Sequence, residues 1–212
     1  MCFNYNKEYI KGLYSSSFYN TLITLRNRFI KDRIVEHFAS GKCLEVGFGD
    51  GNLIETLAKK FEVYGVDISN FAIEEVTKKH SSERFKICDI SKEKMPFNDK
   101  FDVIVALNVI EHMEDPKFAL ENIFNALRRK GIFVVYFPTR SNLISKLQYK
   151  FLYDVEEHVY RPSVKGFRGL MREVGFRKYS ELVGSLIPFK ISIGSEIFLE
   201  SLNLYFGIWG KR

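Results

Sequence analysis

The run Leu44-Glu45-Val46-Gly47-Phe48-Gly49-Asp50-Gly51 sets a carboxylate before three glycines at alternate positions. Glycine at this spacing lets the backbone take positive φ and approach a ligand closely, which a Cβ would forbid. The run separates an apolar stretch from a helix-like one, so N–H groups at the helix start would face the ligand. Twenty residues beyond Gly47, Asp67 closes a second apolar stretch, Tyr64-Gly65-Val66-Asp67. A carboxylate there can accept both hydroxyls of an adenosine ribose. Together the turn, its strand context and the acid predict a nucleoside-bearing cofactor. Two histidines offer proton chemistry, since imidazole titrates near pH ~6.5. His112 follows the apolar stretch Phe101–Leu107, and His158 lies in Glu157-His158-Val159-Tyr160-Arg161-Pro162-Ser163. Each has a plain alternative: His112 as a loop-fixing hydrogen-bond partner, His158 as a partner of Glu156 or Glu157. Glu111 reads as structural, His37 and His80 as surface residues of outer helices, and Cys43 as a small buried side chain.

Positioning these residues requires alternating strands and helices. Strands are predicted at Lys42–Val46, Glu62–Val66, Phe85–Ile87, Phe101–Leu107 and Ile132–Phe137, with helices over Asn52–Lys60, Asn70–His80 and Pro116–Arg129 between them. Phe101–Leu107 is almost wholly apolar, as a strand buried on both faces must be. An N-terminal helix is predicted from Leu22, Leu25, Phe29, Ile30, Ile34 and Phe38, stopping at Ser40-Gly41. Later come helices at Ser141–Tyr153 and Ser163–Val174, the second with Ser163 as N-cap, and strand-like runs at Lys178–Val183 and Leu204–Trp209. The expected fold is α/β: a Rossmann-like, doubly wound, mostly parallel sheet of seven strands, the last antiparallel, with helices on both faces.

The 212 residues, 46% hydrophobic and 27% charged, fit one domain with a real core and exclude whole-chain disorder. One domain over 1–212 is expected, with an N-terminal helical cap (1–40), a cofactor-binding core (41–140) and an acceptor-side lid with a terminal strand pair (141–212). Cys2, Cys43 and Cys88 form no CxxC pair, so neither a disulfide framework nor a metal site is expected. No signal peptide is apparent, and charges break the apolar run 182–210, which a membrane span of ~20 residues would not tolerate. A cytoplasmic location is the expectation. The net charge of +6 lies almost entirely in 140–212, an ordinary solvated surface or a contact for an acidic partner.

The dinucleotide fingerprint GxGxxG needs a glycine where this chain has Asn52. The form Glu-x-Gly-x-Gly-x-Gly instead resembles the first motif of the class I S-adenosylmethionine-dependent methyltransferases, and the resemblance runs through about residues 40–140. Cys88-Asp89-Ile90 is similar to the family's adenine site, and the stretch from Phe101 to Met113, with its Glu111-His112 pair, to its fourth-strand motif. The segment around His158 is similar to one in the small-molecule and quinone-type subgroup. The resemblance implies S-adenosylmethionine as cofactor and S-adenosylhomocysteine as product. It implies that Glu45 with the Gly47, Gly49 and Gly51 backbone holds the methionine portion, with Asn108 beside the ammonium and sulfonium. It further implies Asp67 on the ribose, Asp89 on the adenine amino group, and Ile68 and Ile90 on the two ring faces.

Methyl transfer from a sulfonium needs alignment and water exclusion, with a base only where the acceptor carries a proton. Tyr5, Tyr9, Tyr14, Phe18 and Tyr19 could close over the sulfonium, although plain helix packing explains them as well. Arg140, Lys146, Lys150, Arg161, Lys165 and Arg168 could meet an anionic acceptor. The apolar run that includes Phe189, Ile191 and Phe198 could form a lid or a peripheral membrane contact, or pack on the sheet. A small, lipophilic or anionic acceptor is expected, with nucleic acid disfavoured, since no Asn/Asp-Pro-Pro-Tyr/Phe follows the fourth strand. A nicotinamide-dependent oxidoreductase and a catalytically inactive binding protein are the alternatives. Acceptor identity and oligomeric state are not encoded in any motif.

Overall fold

Central strands buried on both faces divide the core into two apolar clusters on opposite sides of one sheet. The computed structural model describes residues 17–139, 159–183 and 204–211. Its strands are β1 (Gly41–Val46), β2 (Phe61–Asp67), β3 (Phe85–Ile87), β4 (Phe101–Leu107), β5 (Leu127–Pro138), β6 (Arg177–Val183) and β7 (Leu204–Gly210). Its helices are α1 (Ser17–Val35), α2 (Asn52–Leu57), α3 (Asn70–Thr77), α4 (Pro116–Ala126) and α5 (Val164–Val174). The strand order is β3-β2-β1-β4-β5-β7-β6. β1 pairs in parallel with β2 and β4, β2 with β3 and β4 with β5, whereas β7 runs antiparallel to both β5 and β6. This is the expected sheet, with the last strand reversed.

On one face, Cys43, Val63, Val103, Val105 and Ile132 pack with Phe29, Ile30 and Ile34 of α1 and with α2 and α3. Leu44, Val66, Ile104, Ala106 and Phe133 face the other way, onto α4 and α5. Two-faced burial explains why the central strands read as continuous apolar runs. Capping fixes where the helices begin. The Ser69 hydroxyl accepts from Ala72 N–H, Asp115 from Phe118 N–H ahead of Pro116, and Ser163, as expected, from Gly166 N–H.

Two local expectations are corrected. The inward stripe of α1 runs Ile23, Asn27, Ile30 and Ile34, while Leu25 is 52% exposed. That phase turns the buried Asn27 amide inward, and its Oδ1 accepts from Arg26 Nη2 at 3.0 Å. α4 also stops at Ala126 rather than Arg129, and β5 begins at once, pairing Leu127 with Phe101 before a bulge ends at Ile132. The tail decides this. Lys211 Nζ donates to the carbonyls of Phe124 and Leu127, and main-chain bonds join Lys130 N–H to Lys211 O and Lys211 N–H to Gly131 O. Among the buried residues is Cys43, and His80 is less exposed than expected, within 3.1 Å of Glu55. His37 stacks on Tyr179 at 5.9 Å between ring centroids.

Asp102 fastens the amino ends of three strands. It is buried, takes the Lys42 N–H on Oδ2 at 2.8 Å, and has Oδ1 2.5 Å from Arg128 Nε. Removing it strands the buried Lys42 N–H and takes away the carboxylate paired with Arg128, so Asp102→Ala should cost about 2 kcal/mol in urea-unfolding free energy. An unchanged unfolding midpoint would show that the fastening is dispensable.

Candidate active site

The sheet order reverses between β1 and β4, and the crevice above the carboxyl ends there is where open α/β sheets bind ligands. Gly47, Gly49 and Gly51 follow β1 with φ of 66°, 53° and 74°. All three are left-handed, as the spacing required, and a Cβ on Gly47 would collide with Val109. The turn is tied down by Gly47 N–H to Val66 O at 2.8 Å and Gly51 N–H to Phe48 O at 2.9 Å. Part of the expected donor set is used internally, since Asp50 Oδ1 accepts the Asn52 N–H.

Asp67 sits at the end of β2, largely buried, with Oδ2 on Gly49 N–H and Oδ1 on Ser69 N–H, both at 2.9 Å. It thus holds the glycine turn while each oxygen keeps further lone pairs for a ligand. Burial raises its pKa, and those backbone donors pull it back. Cys88 N–H bonds Asp67 O at 3.0 Å, which sets the Asp89 segment beside Asp67. Asp89 Oδ1 accepts from Ser91 N–H and Oγ–H, and Lys92 Nζ lies 3.4 Å from Oδ2. Ile68 is 50% exposed next to Asp67, whereas Ile90 lies in the core at 2%. Of the two isoleucines, Ile68 is the one presented at the surface.

Glu45 lies within β1, paired in register with Gly65 and Val105, and is 3% exposed. Its Oε2 has no hydrogen-bond partner. Burial pushes this carboxyl well above its ordinary pKa, and the charge of Arg26 draws it back. Arg26 acts in the same direction on Asp50 and rests over the Tyr136 ring, 5.9 Å from its centroid. Sequence reading passed over Arg26. Its proximity depends on the rotation of α1, and with Asn27 and Arg28 next to it nothing in the sequence singles it out.

Asn108 ends β4 in the left-handed region at φ 53°, with its N–H on Tyr136 O at 2.7 Å. Asparagine is one of the few non-glycine residues that take this conformation readily, so the chain turns sharply here at the mouth of the crevice. Just beyond, in the turn Ile110–His112, His112 is half-buried and Glu111 is buried. Glu111 Oε2 has no hydrogen-bond partner, and burial pushes the carboxyl up to about 8. Its carbonyl accepts the Tyr160 N–H at 2.9 Å, which draws the segment leading into α5 against this turn. His158, Arg140, Lys146, Lys150, the aromatic residues Tyr5, Tyr9 and Tyr14 and the apolar run 184–203 lie outside the described residues. No side-chain cluster that could hold a metal occurs among the described residues.

These groups fit S-adenosylmethionine. An unpartnered buried carboxylate suits an ammonium, the glycine turn leaves backbone room, and Asp67 has acceptor capacity for a diol. Comparison with known proteins agrees. A methyltransferase domain model matches residues 19–181. The ubiquinone biosynthesis O-methyltransferase of Pelagibacter ubique is 29% identical over 126 residues, covering 52% of this chain and 51% of its own. The mitochondrial ubiquinone biosynthesis O-methyltransferase of Schizosaccharomyces pombe is 32% identical over 131 residues, covering 58% and 46%. The chain therefore spans about half the length of these curated relatives. An S-adenosylmethionine-dependent methyltransferase structure from Clostridium acetobutylicum superposes with a TM-score of 0.67 at 18% identity, covering 89% of this chain and 91% of that one. The nicotinamide alternative finds no support in these matches. With the site's geometry and the domain match in agreement, the chain belongs to the methyltransferase domain family, of the class I S-adenosylmethionine-dependent kind.

Proposed function

We propose that this protein methylates a hydroxyl of a small, lipophilic or anionic acceptor, using S-adenosylmethionine and releasing S-adenosylhomocysteine. The observation that carries the reading is the buried Glu45 carboxyl with its unpartnered Oε2, set beneath the glycine turn and beside the Arg26 charge. Glu45 would receive the ammonium of the methionine portion and Arg26 its carboxylate, a pairing of opposite charges that fixes orientation. Gly47–Gly51 would line that portion, Asp67 would accept the ribose hydroxyls, Asp89 the adenine amino hydrogen, and the exposed Ile68 would cover one face of the ring, whereas Ile90 is buried in the core. Asn108 would lie beside the ammonium and sulfonium through its main chain.

The cofactor supplies an electrophilic methyl group whose thioether leaving group needs no proton. The acceptor oxygen forms the new C–O bond as the C–S bond breaks, and the hydroxyl proton passes to an imidazole. His112, in the turn after β4, is our candidate base, with His158 a second. The hydroxyl reading follows the names of the curated relatives, which are O-methyltransferases. We read 1–212 as one domain, with 1–40 as a cap and 141–212 shaping the acceptor side. The expected setting is the cytoplasm; no helix among the described residues is long and apolar enough to cross a membrane.

The test is an S-adenosylhomocysteine release assay on a panel of phenolic, catecholic and carboxylate acceptors. Turnover on a hydroxyl is expected. His112→Gln should lower kcat by roughly a hundredfold, abolish the rise of kcat through the imidazole pKa, and leave cofactor affinity unchanged. Cofactor binding without turnover on any acceptor would favour the inactive binding protein, and a His112→Gln enzyme with an unaltered pH profile would remove His112 as the base.

A further inference from the structure

At the opposite end of the sheet from the glycine turn, the amino ends of β1, β2, β4 and β5 surround an open basin of about 500 Å³. Its walls carry Lys60, Lys100, Arg128 and Lys42, the last already ion-paired with Asp99, alongside Glu62 and Asp102. Both acids are already engaged. Asp102 is buried against Lys42 N–H and Arg128 Nε. Glu62 Oε1 accepts from the Tyr64 hydroxyl and lies 3.4 Å from Arg84 Nη2.

Several cations are left open. Asp102 fixes the Arg128 guanidinium through Nε, and the Phe38 ring lies 5.4 Å from its central carbon, so both Nη groups remain for an outside acceptor. The exposed Lys60 ammonium has no partner among the described residues. Lys100 donates to Asn125 O at 2.7 Å, and its charge, after burial, lowers the pKa of Lys211. Crowded like charges raise the local potential, which an anion relieves.

The bulge beside the basin adds an independent observation. Lys130 holds φ 64°, a strained value for a long side chain, pinned by its main-chain bond to Lys211. Gly131 leaves no room for a Cβ against the carbonyls of Arg128, Phe101 and Asp102. The result is an outward display of Arg129 and Lys130, both exposed and without side-chain partners among the described residues. Strain persists where surrounding structure over-determines it, often for function.

We propose that this basin binds a small phosphate-bearing anion, gripped by the Arg128 Nη groups and Lys60, at a site separate from the methyl-transfer crevice. Cations from four strand starts converge on this one small open basin, which suits a compact anion, and no aromatic side chain lines it for stacking a base. The full chain is titrated calorimetrically with inorganic pyrophosphate at low and high salt. Expected is saturable one-to-one binding that weakens with salt, falls at least about tenfold in Lys60→Glu, and returns in Lys60→Arg. S-adenosylhomocysteine affinity and the thermal midpoint should not move in either variant. The proposal is overturned if pyrophosphate fails to saturate at low salt, or if Lys60→Glu binds it as the parent does. It is equally overturned if the protein sediments with phosphatidylglycerol-containing vesicles while ignoring pyrophosphate, since a diffuse surface would then be at work.

Discussion

Asp67→Ala should weaken S-adenosylhomocysteine binding by about a hundredfold or more in titration calorimetry. Two losses coincide at this residue. The ribose diol would lose the acceptor for its hydroxyls, and the Gly49 and Ser69 N–H groups would lose the oxygens that hold the turn and the entry to α3. The variants separate these effects. Asp67→Asn keeps one carbonyl-type oxygen and should bind better than the alanine variant yet worse than the parent. NAD(H) and NADP(H) serve as controls and should give no saturable heat with any of the three proteins. Retention of near-parental affinity by Asp67→Ala would remove this carboxylate from the site. Selective binding of a nicotinamide cofactor would overturn the assignment of the crevice itself.

The second large effect is a dependence of stability on pH governed by Glu111. Its folded-state pKa, pushed up to about 8 by burial, lies above the ordinary 4.5. Below the ordinary value both the folded and unfolded chains carry the proton. Between the two values only the folded chain does, so its stabilising contribution is progressively lost as pH rises, and the slope flattens above about 8. The full span corresponds to an upper limit on the order of 5 kcal/mol for one group. Glu111→Gln cannot ionise and should give a flatter curve. Urea unfolding should then show it no more stable than the parent near pH 5, where the parent's protonated carboxyl fits equally well, but more stable at pH 9. Parallel curves for the two proteins across that range would show that this carboxyl titrates normally.

The parts of the site that rest on neighbouring residues were legible from the sequence. Three glycines at alternate positions can do little else between a strand and a helix, and their φ values of 66°, 53° and 74° are what that turn demands. Asp67 and Asn108 follow from the ends of two apolar strands, because a strand's length fixes where its carboxyl end emerges. The strand and helix alternation likewise set the sheet, since short connections and two-faced burial leave few other arrangements.

What escaped the sequence depends on residues far apart along the chain. Arg26 reaches the Glu45 region because α1 packs on the stripe from Ile23 to Ile34, and only packing against the sheet selects that rotation over one that buries Leu25. α4 ends early because Lys211, more than eighty residues on, takes the carbonyls of Phe124 and Leu127. Net charge is concentrated in the C-terminal third, while the cations of the basin come from four separate strand starts that only the sheet brings together. The orphaned oxygens of Glu45 and Glu111 are also tertiary facts: a carboxylate's type is written in the sequence, but its burial, and with it its protonation, is set by every element that closes over it. Sequence thus determined the fold, the glycine turn and the place of Asp67 at the end of its strand, through local spacing and periodicity. Tertiary structure alone decided the charge state and partners of the groups around them, because burial and electrostatics act through space rather than along the chain.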